Sequence, residues 1–251
     1  LNMSKENKQE IVLNLENWGV PIAIVISAII LALVIFLASR NTNNKSSDSG
    51  STDTNTSADS DVEGIGDVEV SMGNDPYIGN LDTATVAVIE FSDYQCGYCQ
   101  RHSQQTFPSI KEEYVDTGKV VYVFKEFPLS SAGQMGHTIA KGGVCVYELG
   151  GNDAFASYHK DAFFAESNDV LISLAKGLGI DATEFSNCID SSRHNDELSE
   201  DQKEGSAAGI TGTPGFVVGL IGDNGKIIEP KLIAGAYPFD TFKSVIDALL
   251  K

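Results

Sequence analysis

Two cysteines separated by two residues, Cys96 and Cys99, are the residues of this chain best suited to chemistry. A pair at this spacing can form and break a disulfide, supply half of a zinc site, or act as a structural clip. A zinc site usually needs a second such pair or nearby histidines, and Cys145 and Cys188 lie far apart. A clip across two residues closes a very small loop and stabilises little. The spacing therefore favours a redox pair, with no metal and no cofactor.

The segments around the pair predict where the two sulfurs lie. Residues 85–91 are β-branched and apolar, which is typical of a buried strand, and a helical pattern follows Cys99 to about residue 117. Cys96 then stands at a helix N-terminus, where free N–H groups and partial positive charge favour a thiolate. We expect Cys96 to be the nucleophile and Cys99, one turn further on, to resolve the mixed disulfide.

The rest of the pattern indicates an α/β fold. A second strand is predicted over 119–127, so that strand, helix and strand form a βαβ unit with parallel strands. Pro108 lies inside the intervening helix and should bend it. The later elements are a helical region over about 131–208 with breaks at 150–151 and 179–181, a strand over 215–221, a turn at Asn224–Gly225 and a helix over about 239–250.

Three separated segments resemble the DsbA-like thiol–disulfide oxidoreductases of the thioredoxin superfamily. They read VIEFSDYQCGYC (88–99), KVVYVFKEFPL (119–129) and GITGTPGFVVG (209–219), and they occur in the order expected for that family. The resemblance implies that residues 71–251 form a thioredoxin fold, in which residues 131–208 are a helical insertion.

The resemblance also implies roles for residues beside the cysteines. Thr213 and Pro214 would bind an extended substrate peptide, with a cis bond before the proline; an ordinary turn proline is the alternative. Glu90 would move protons as Cys99 reacts, unless strand alternation turns it to solvent. Gly97 and Tyr98, the two residues between the cysteines, are expected to tune the redox poise of the pair.

The remaining charged residues, cysteines and histidines are weaker candidates for a role in the site. Lys125 and Glu126 are further candidates for proton transfer, or they pair with each other. Cys145 and Cys188 are predicted to form a structural disulfide, with two free buried thiols as the alternative. The four histidines form no cluster at ligand spacing and are predicted to be surface or packing residues.

The N-terminal quarter of the chain has a different composition. Residues 18–39 contain no charged side chain and are long enough to span a bilayer, which predicts a retained transmembrane anchor rather than a cleaved signal peptide. Residues 1–17 would form a short cytoplasmic tail. Residues 40–70 are rich in Ser, Thr, Asn and Asp and are predicted to be a disordered linker. This organisation predicts a single-pass membrane protein whose catalytic domain lies outside the cytoplasm.

Charge and resemblance together predict the function and the partners. The net charge of −18 argues against nucleic acid as a partner. We expect a monomer that donates disulfides to reduced or unfolded extracytoplasmic proteins. The resemblance implies reoxidation by a membrane partner of the DsbB or VKOR type. Two alternatives stay open: a reductase or isomerase that uses the same site, and a non-catalytic tethered chaperone.

Overall fold

The computed structural model describes residues 62–64, 69–129 and 133–251. The predicted cytoplasmic tail (1–17) and transmembrane segment (18–39) lie outside these residues, as does most of the predicted linker. Among the residues that are described, no helix is both long enough and apolar enough to cross a membrane.

The described strands form one mixed sheet. They are β1 (Val62–Gly64), β2 (Tyr77–Ile78), β3 (Val86–Ser92), β4 (Val120–Glu126), β5 (Gly215–Ile221) and β6 (Ile227–Ile233), in the spatial order β1-β6-β5-β3-β4-β2. Strand β3 runs parallel to β4 and antiparallel to β5. The predicted βαβ unit is thus confirmed. Every residue of β3 and β4 is buried, because helices or loops cover both faces of the sheet.

The described helices surround this sheet. The α-helices are α1 (Gly97–Gln105), α2 (Phe107–Ile110), α3 (Gly133–Ala162), α4 (Asn168–Gly177), α5 (Ala182–Asp190), α6 (Asn195–Ala207) and α7 (Phe239–Leu249). A π-helical turn, Lys111–Val115, continues α2, and a short 3-10 turn spans Asp223–Gly225. Pro108 lies in the first turn of α2, and the predicted helix is interrupted just before it, at Thr106. Helix α3 is interrupted at Gly151, which has a φ of 73° that other residues rarely adopt.

The predicted linker boundary is wrong at one point. Residues Val62–Gly64, which fall inside the segment predicted to be disordered, form β1 and pair antiparallel with β6. The partner strand lies about 170 residues further along the chain, and local composition carries no information about such a distant partner. The hairpin between β5 and β6 was predictable, because Asn224 and Gly225 both have the positive φ that its turn requires.

Helices α3 to α6 form the predicted insertion and have a core of their own. Cys145 on α3 and Cys188 on α5 are fully buried in it and form a disulfide, with their Cα atoms 5.9 Å apart. The same apolar cluster includes Cys99 and Tyr94 from the redox loop. The insertion therefore packs directly behind the cysteine pair.

Removal of this disulfide is expected to destabilise the protein. The bridge joins residues 43 positions apart. Closing a loop of that length is worth about 4 kcal/mol in the chain-entropy model. The double variant Cys145→Ala/Cys188→Ala should therefore lose about 4 kcal/mol of unfolding free energy, measured by denaturant titration. A loss below about 1 kcal/mol would show that the bridge constrains the unfolded chain little.

Candidate redox site

The loop between β3 and α1 holds the redox pair in place. Asp93 is buried there and accepts hydrogen bonds from the backbone N–H groups of Gln95 (2.8 Å) and Leu129 (3.0 Å). The N–H of Cys96 donates to the Asp93 carbonyl at 3.0 Å. These bonds tie the loop to the end of β4 and place Cys96 at the N-cap of α1, as the sequence predicts.

Cys96 is the more accessible and the more acidic of the two cysteines. It is partly buried, and both cysteines are free thiols in this structure. A hydrogen bond from Cys99 lowers the pKa of Cys96 to about 5, although partial burial opposes the shift. The Thr213 side chain and the N–H groups of Cys99 and Tyr98 at the start of α1 lower this pKa further. Cys96 is therefore largely a thiolate at neutral pH.

Cys99 has the opposite character. Its side chain is fully buried, and this burial is the main cause that raises its pKa. Its hydrogen bond to Cys96 and the negative charge of Glu90 act in the same direction. A buried sulfur of this kind does not persist as a thiolate, so it must receive a proton when it leaves a disulfide.

Thr213 and Pro214 lie beside the more accessible sulfur, that of Cys96. Their peptide bond is cis, as the resemblance implies, and Pro214 is buried. Sγ of Cys96 lies 3.2 Å from the Thr213 carbonyl, to which it donates when it is protonated. The Thr213 hydroxyl is buried and, apart from Cys96, has no partner within the part of the chain that the structure describes. It is therefore available to donate a hydrogen bond to the Cys96 thiolate.

Thr213→Val is expected to raise the pKa of Cys96 by about 1, because a hydrogen bond to a charged group is worth about 1.5 kcal/mol. Valine has a similar shape but no hydroxyl to donate. The ultraviolet absorbance of the thiolate, followed against pH, measures the change. Thr211→Val is the matched control, because Thr211 is exposed in the same loop. Equal pKa values in both variants would contradict this role for Thr213.

The two residues between the cysteines lie at the surface. Gly97 has open space around the position where a Cβ would stand. Tyr98 is 62% exposed, and the Arg101 guanidinium lies over its ring at 4.9 Å. A cavity of about 360 Å³ lies beside Tyr98, and its walls also include Thr213 and Tyr237. Another, of about 430 Å³, lies between Cys96 and Phe164.

Glu90 lies in the interior, so the alternative that it faces solvent is wrong. It is 1% exposed, and burial is the main cause that raises its pKa to about 7, against a hydrogen bond from Tyr122 that lowers it. The Tyr122 hydroxyl donates to Oε2 of Glu90 at 2.7 Å and lies 2.9 Å from Nε2 of His102. Glu90 can thus hold or release a proton near neutral pH.

Glu126 and Lys125 do not pair with each other, because consecutive residues of a strand point to opposite faces. Lys125 forms buried ion pairs with Asp75, Asp201 and Glu204 on one face of the sheet. On the other face, Oε1 of Glu126 lies 3.2 Å from the hydroxyl of Tyr94, which is also 3.0 Å from Nδ1 of His159. Burial is the main cause that raises the pKa of Glu126 well above its usual value.

Several polar residues of this site were not singled out from the sequence. Tyr94, Tyr122 and Ser92 are buried around the two carboxyl groups, and His102 and His159 are buried packing residues whose low pKa, about 3, keeps them neutral. Burial is the main cause in both histidines. One available signal was the alternation of polar residues in apolar strands, at positions 90 and 92 and at 122 and 126.

Comparison with known proteins supports the same kind of site. The family model described as thioredoxin matches residues 71–248. A Bacillus cereus protein named "Probable disulfide bond formation protein D" is 27% identical over 180 residues, which cover 68% of this chain and 76% of that protein.

Solved structures agree with the fold. The crystal structure of Wolbachia pipientis alpha-DsbA1 matches with a TM-score of 0.61 at 27% identity, over 71% of this chain and 92% of that one. The crystal structure of oxidised BdbD from Bacillus subtilis matches with a TM-score of 0.60 over 73% of this chain and 96% of that one. At 22% identity, the second match shows a common fold only.

Proposed function

The chain belongs to the thioredoxin family as a DsbA-like thiol–disulfide oxidoreductase, and we propose that it donates disulfides to reduced proteins outside the cytoplasm. The observation that carries the proposal is the contrast between acidic, accessible Cys96 and buried, weakly acidic Cys99. A stabilised Cys96 thiolate favours the reduced form of the pair, which makes its disulfide a strong oxidant.

In the proposed reaction, a substrate thiolate attacks Sγ of Cys96 in the Cys96–Cys99 disulfide. A bond forms between the substrate sulfur and Cys96, the bond between the two cysteines breaks, and Cys99 leaves with the electron pair. Glu90 gives its proton to Cys99. The second thiol of the substrate, as a thiolate, attacks the mixed disulfide and releases Cys96 as a thiolate. The substrate is oxidised and the pair is reduced by the same two electrons.

The substrate would bind next to Cys96. The backbone at Thr213 and Pro214 lies beside the sulfur and is suited to pair with an extended peptide. The cavities on either side of Cys96 offer aromatic walls to the residues that flank a substrate cysteine. Gly97 leaves room for the approach and, with Tyr98, tunes the thiolate.

The location and the partners are part of the same proposal. The uncharged segment 18–39 would anchor the chain in the membrane and leave the redox domain outside the cytoplasm as a monomer. The disulfide between Cys145 and Cys188 is compatible with an oxidising compartment. The reduced pair would then be reoxidised by a membrane protein of the DsbB or VKOR type.

A thiol-transfer experiment tests the proposed direction of electron flow. The oxidised protein is mixed with a reduced, unfolded protein that contains two cysteines, and free thiols are counted over time. We expect the substrate to lose both thiols while Cys96 and Cys99 gain theirs. If the substrate keeps its thiols, and the reduced protein instead cleaves substrate disulfides, the protein is a reductase and the proposal of donation is wrong.

A further inference from the structure

Three buried oxygen atoms in neighbouring strands lack a hydrogen-bond partner among the described residues. They are Oε1 of Glu90, Oγ of Ser92 and Oε2 of Glu126. The three residues are 1%, 3% and 4% exposed, respectively. Buried polar atoms are nearly always paired in native proteins, so three of them in adjacent strands point to a shared role.

The strand register brings the three side chains together. Glu90 and Ser92 are two residues apart on β3 and therefore point to the same face of the sheet. Ser92 is the direct partner of Glu126 on the parallel strand β4. Ser92 thus lies between the two carboxyl groups, on the face that carries Tyr122, and Glu90 is close enough to Cys99 for its charge to raise the pKa of that thiol.

The groups that face Glu126 favour its protonated form. Burial raises the pKa of Glu126 most strongly, followed by the negative charges of Asp201, Asp93 and Glu90, while the hydrogen bond from Tyr94 opposes them. Asp201 approaches from α6, where it accepts from the Glu126 backbone N–H at 2.9 Å.

Within the described part of the chain no cation contacts the Glu126 side chain, although Lys125 offsets the charge of Asp201 by pairing with it at 3.0 Å. Lys125 points to the opposite face, where it forms ion pairs with three carboxylates. His159 on α3 reaches Glu126 only through Tyr94, and burial keeps this histidine neutral. The neighbouring Tyr158 is also neutral, because burial raises its pKa. Among the described residues, the Glu126 carboxyl group is therefore left with acids and neutral groups as its own neighbours, and its one side-chain hydrogen bond is to Tyr94.

We propose that Glu126, Ser92 and Glu90 form a hydrogen-bonded relay behind Cys99, in which protonated Glu126 donates to Ser92 and Ser92 donates to the Glu90 carboxylate. Each of the three unpaired oxygen atoms then has a partner. Oε1 of Glu126 remains free to accept from Tyr94, which matches the observed contact. Glu126 and Ser92 are positioning residues, because they act on the sulfurs only through Glu90.

The relay rests on the proposed function, since the Glu90 carboxylate is the species formed when Glu90 protonates the departing Cys99. That carboxylate appears in a buried site, where an uncompensated charge is unfavourable. A donated hydrogen bond from Ser92 stabilises it and so makes Glu90 a better acid. The proton on Glu126 stays in place throughout, and no further oxidant or reductant is needed.

Ser92→Ala provides the sharpest test, because it removes one oxygen atom and little else. We expect the pH at which Glu90 ionises to rise by about 1, since one hydrogen bond to the carboxylate is lost. Two readouts follow this ionisation in the full chain: the carboxyl-carbon NMR signal of Glu90, and the pH profile of the reaction of the oxidised protein with glutathione. Thr241→Val, which removes a buried hydroxyl from α7, is the matched control and should leave both unchanged.

Substitution of Glu126 distinguishes a protonated donor from an ionised neighbour. Glu126→Leu removes the donor and should raise the pH at which Glu90 ionises, as Ser92→Ala does. Glu126→Gln keeps an N–H donor, so Glu90 should ionise at the same pH as in the parent protein. The relay is overturned if Ser92→Ala leaves the pH at which Glu90 ionises unchanged in the NMR titration. It is also overturned if Glu126→Gln lowers that pH. The latter result would mean that Glu126 is charged in the parent.

Failure of the relay and failure of the proposed function give different results. If the parent protein does not exchange with glutathione, the proposed function is wrong, while the NMR titration still decides whether Ser92 donates to Glu90. If the parent exchanges normally but its pH profile is the same in Ser92→Ala, only the relay is wrong. If Glu126→Leu does not fold, Ser92→Ala alone carries the test.

Discussion

Replacement of Cys96 by serine is expected to abolish disulfide transfer completely. A serine hydroxyl cannot form the Cys96–Cys99 disulfide, so the variant has no oxidised state to donate. Cys99 cannot take over, because its sulfur is fully buried and its pKa is raised. Loss of substrate thiols, counted after incubation with the oxidising mixture that loads the parent protein, measures the effect.

Cys99→Ser is the matched control for this variant. It keeps the accessible Cys96 thiolate, so mixed disulfides between Cys96 and substrate should accumulate instead of disappearing. A Cys96→Ser protein that still transfers disulfides would contradict the role assigned to Cys96. One that transfers none but still suppresses aggregation of unfolded proteins would reveal a separate chaperone activity.

Features that depend on neighbouring residues were predictable from the sequence. The position of Cys96 at the start of α1 follows from an apolar strand, a short loop and a helical pattern in succession. The break at Gly151 and the turn at Asn224–Gly225 follow from the backbone conformations that these residues tolerate. The cis bond before Pro214 followed from family resemblance rather than from local chemistry.

Features that depend on distant pairing were not predictable. The strand Val62–Gly64 follows a polar, low-complexity sequence, and its partner β6 lies far along the chain. The surroundings of Glu126 depend on the register of β3 against β4 and on how the insertion packs. This packing brings His159 into contact with Tyr94, which contacts Glu126. Without that register, pairing with its neighbour Lys125 was a reasonable interpretation, although the structure shows it to be wrong.

The Cys96–Cys99 pair is expected to have a reduction potential near that of strong disulfide donors, about −120 mV, rather than the value of about −270 mV typical of thioredoxin. The physical reason is the Cys96 thiolate, which the Cys99 thiol and the N–H groups at the start of α1 stabilise only in the reduced protein. Equilibration of the purified protein with glutathione buffers measures the potential.

The pH dependence of stability provides an independent check on this cause. The pKa of Cys96 falls from 9.0 to about 5 on folding of the reduced protein. A lowered pKa adds stability that is fully present above the unfolded value and is lost as pH falls through the folded value. The reduced form should therefore gain stability over the oxidised form as pH rises from about 5 to about 9. Because Cys96 is partly exposed, we expect a gain of only about 1 kcal/mol by pH 7. A potential near −270 mV, with the oxidised form more stable at pH 7, would make the protein a reductase and would show that the Cys96 thiolate is not preferentially stabilised.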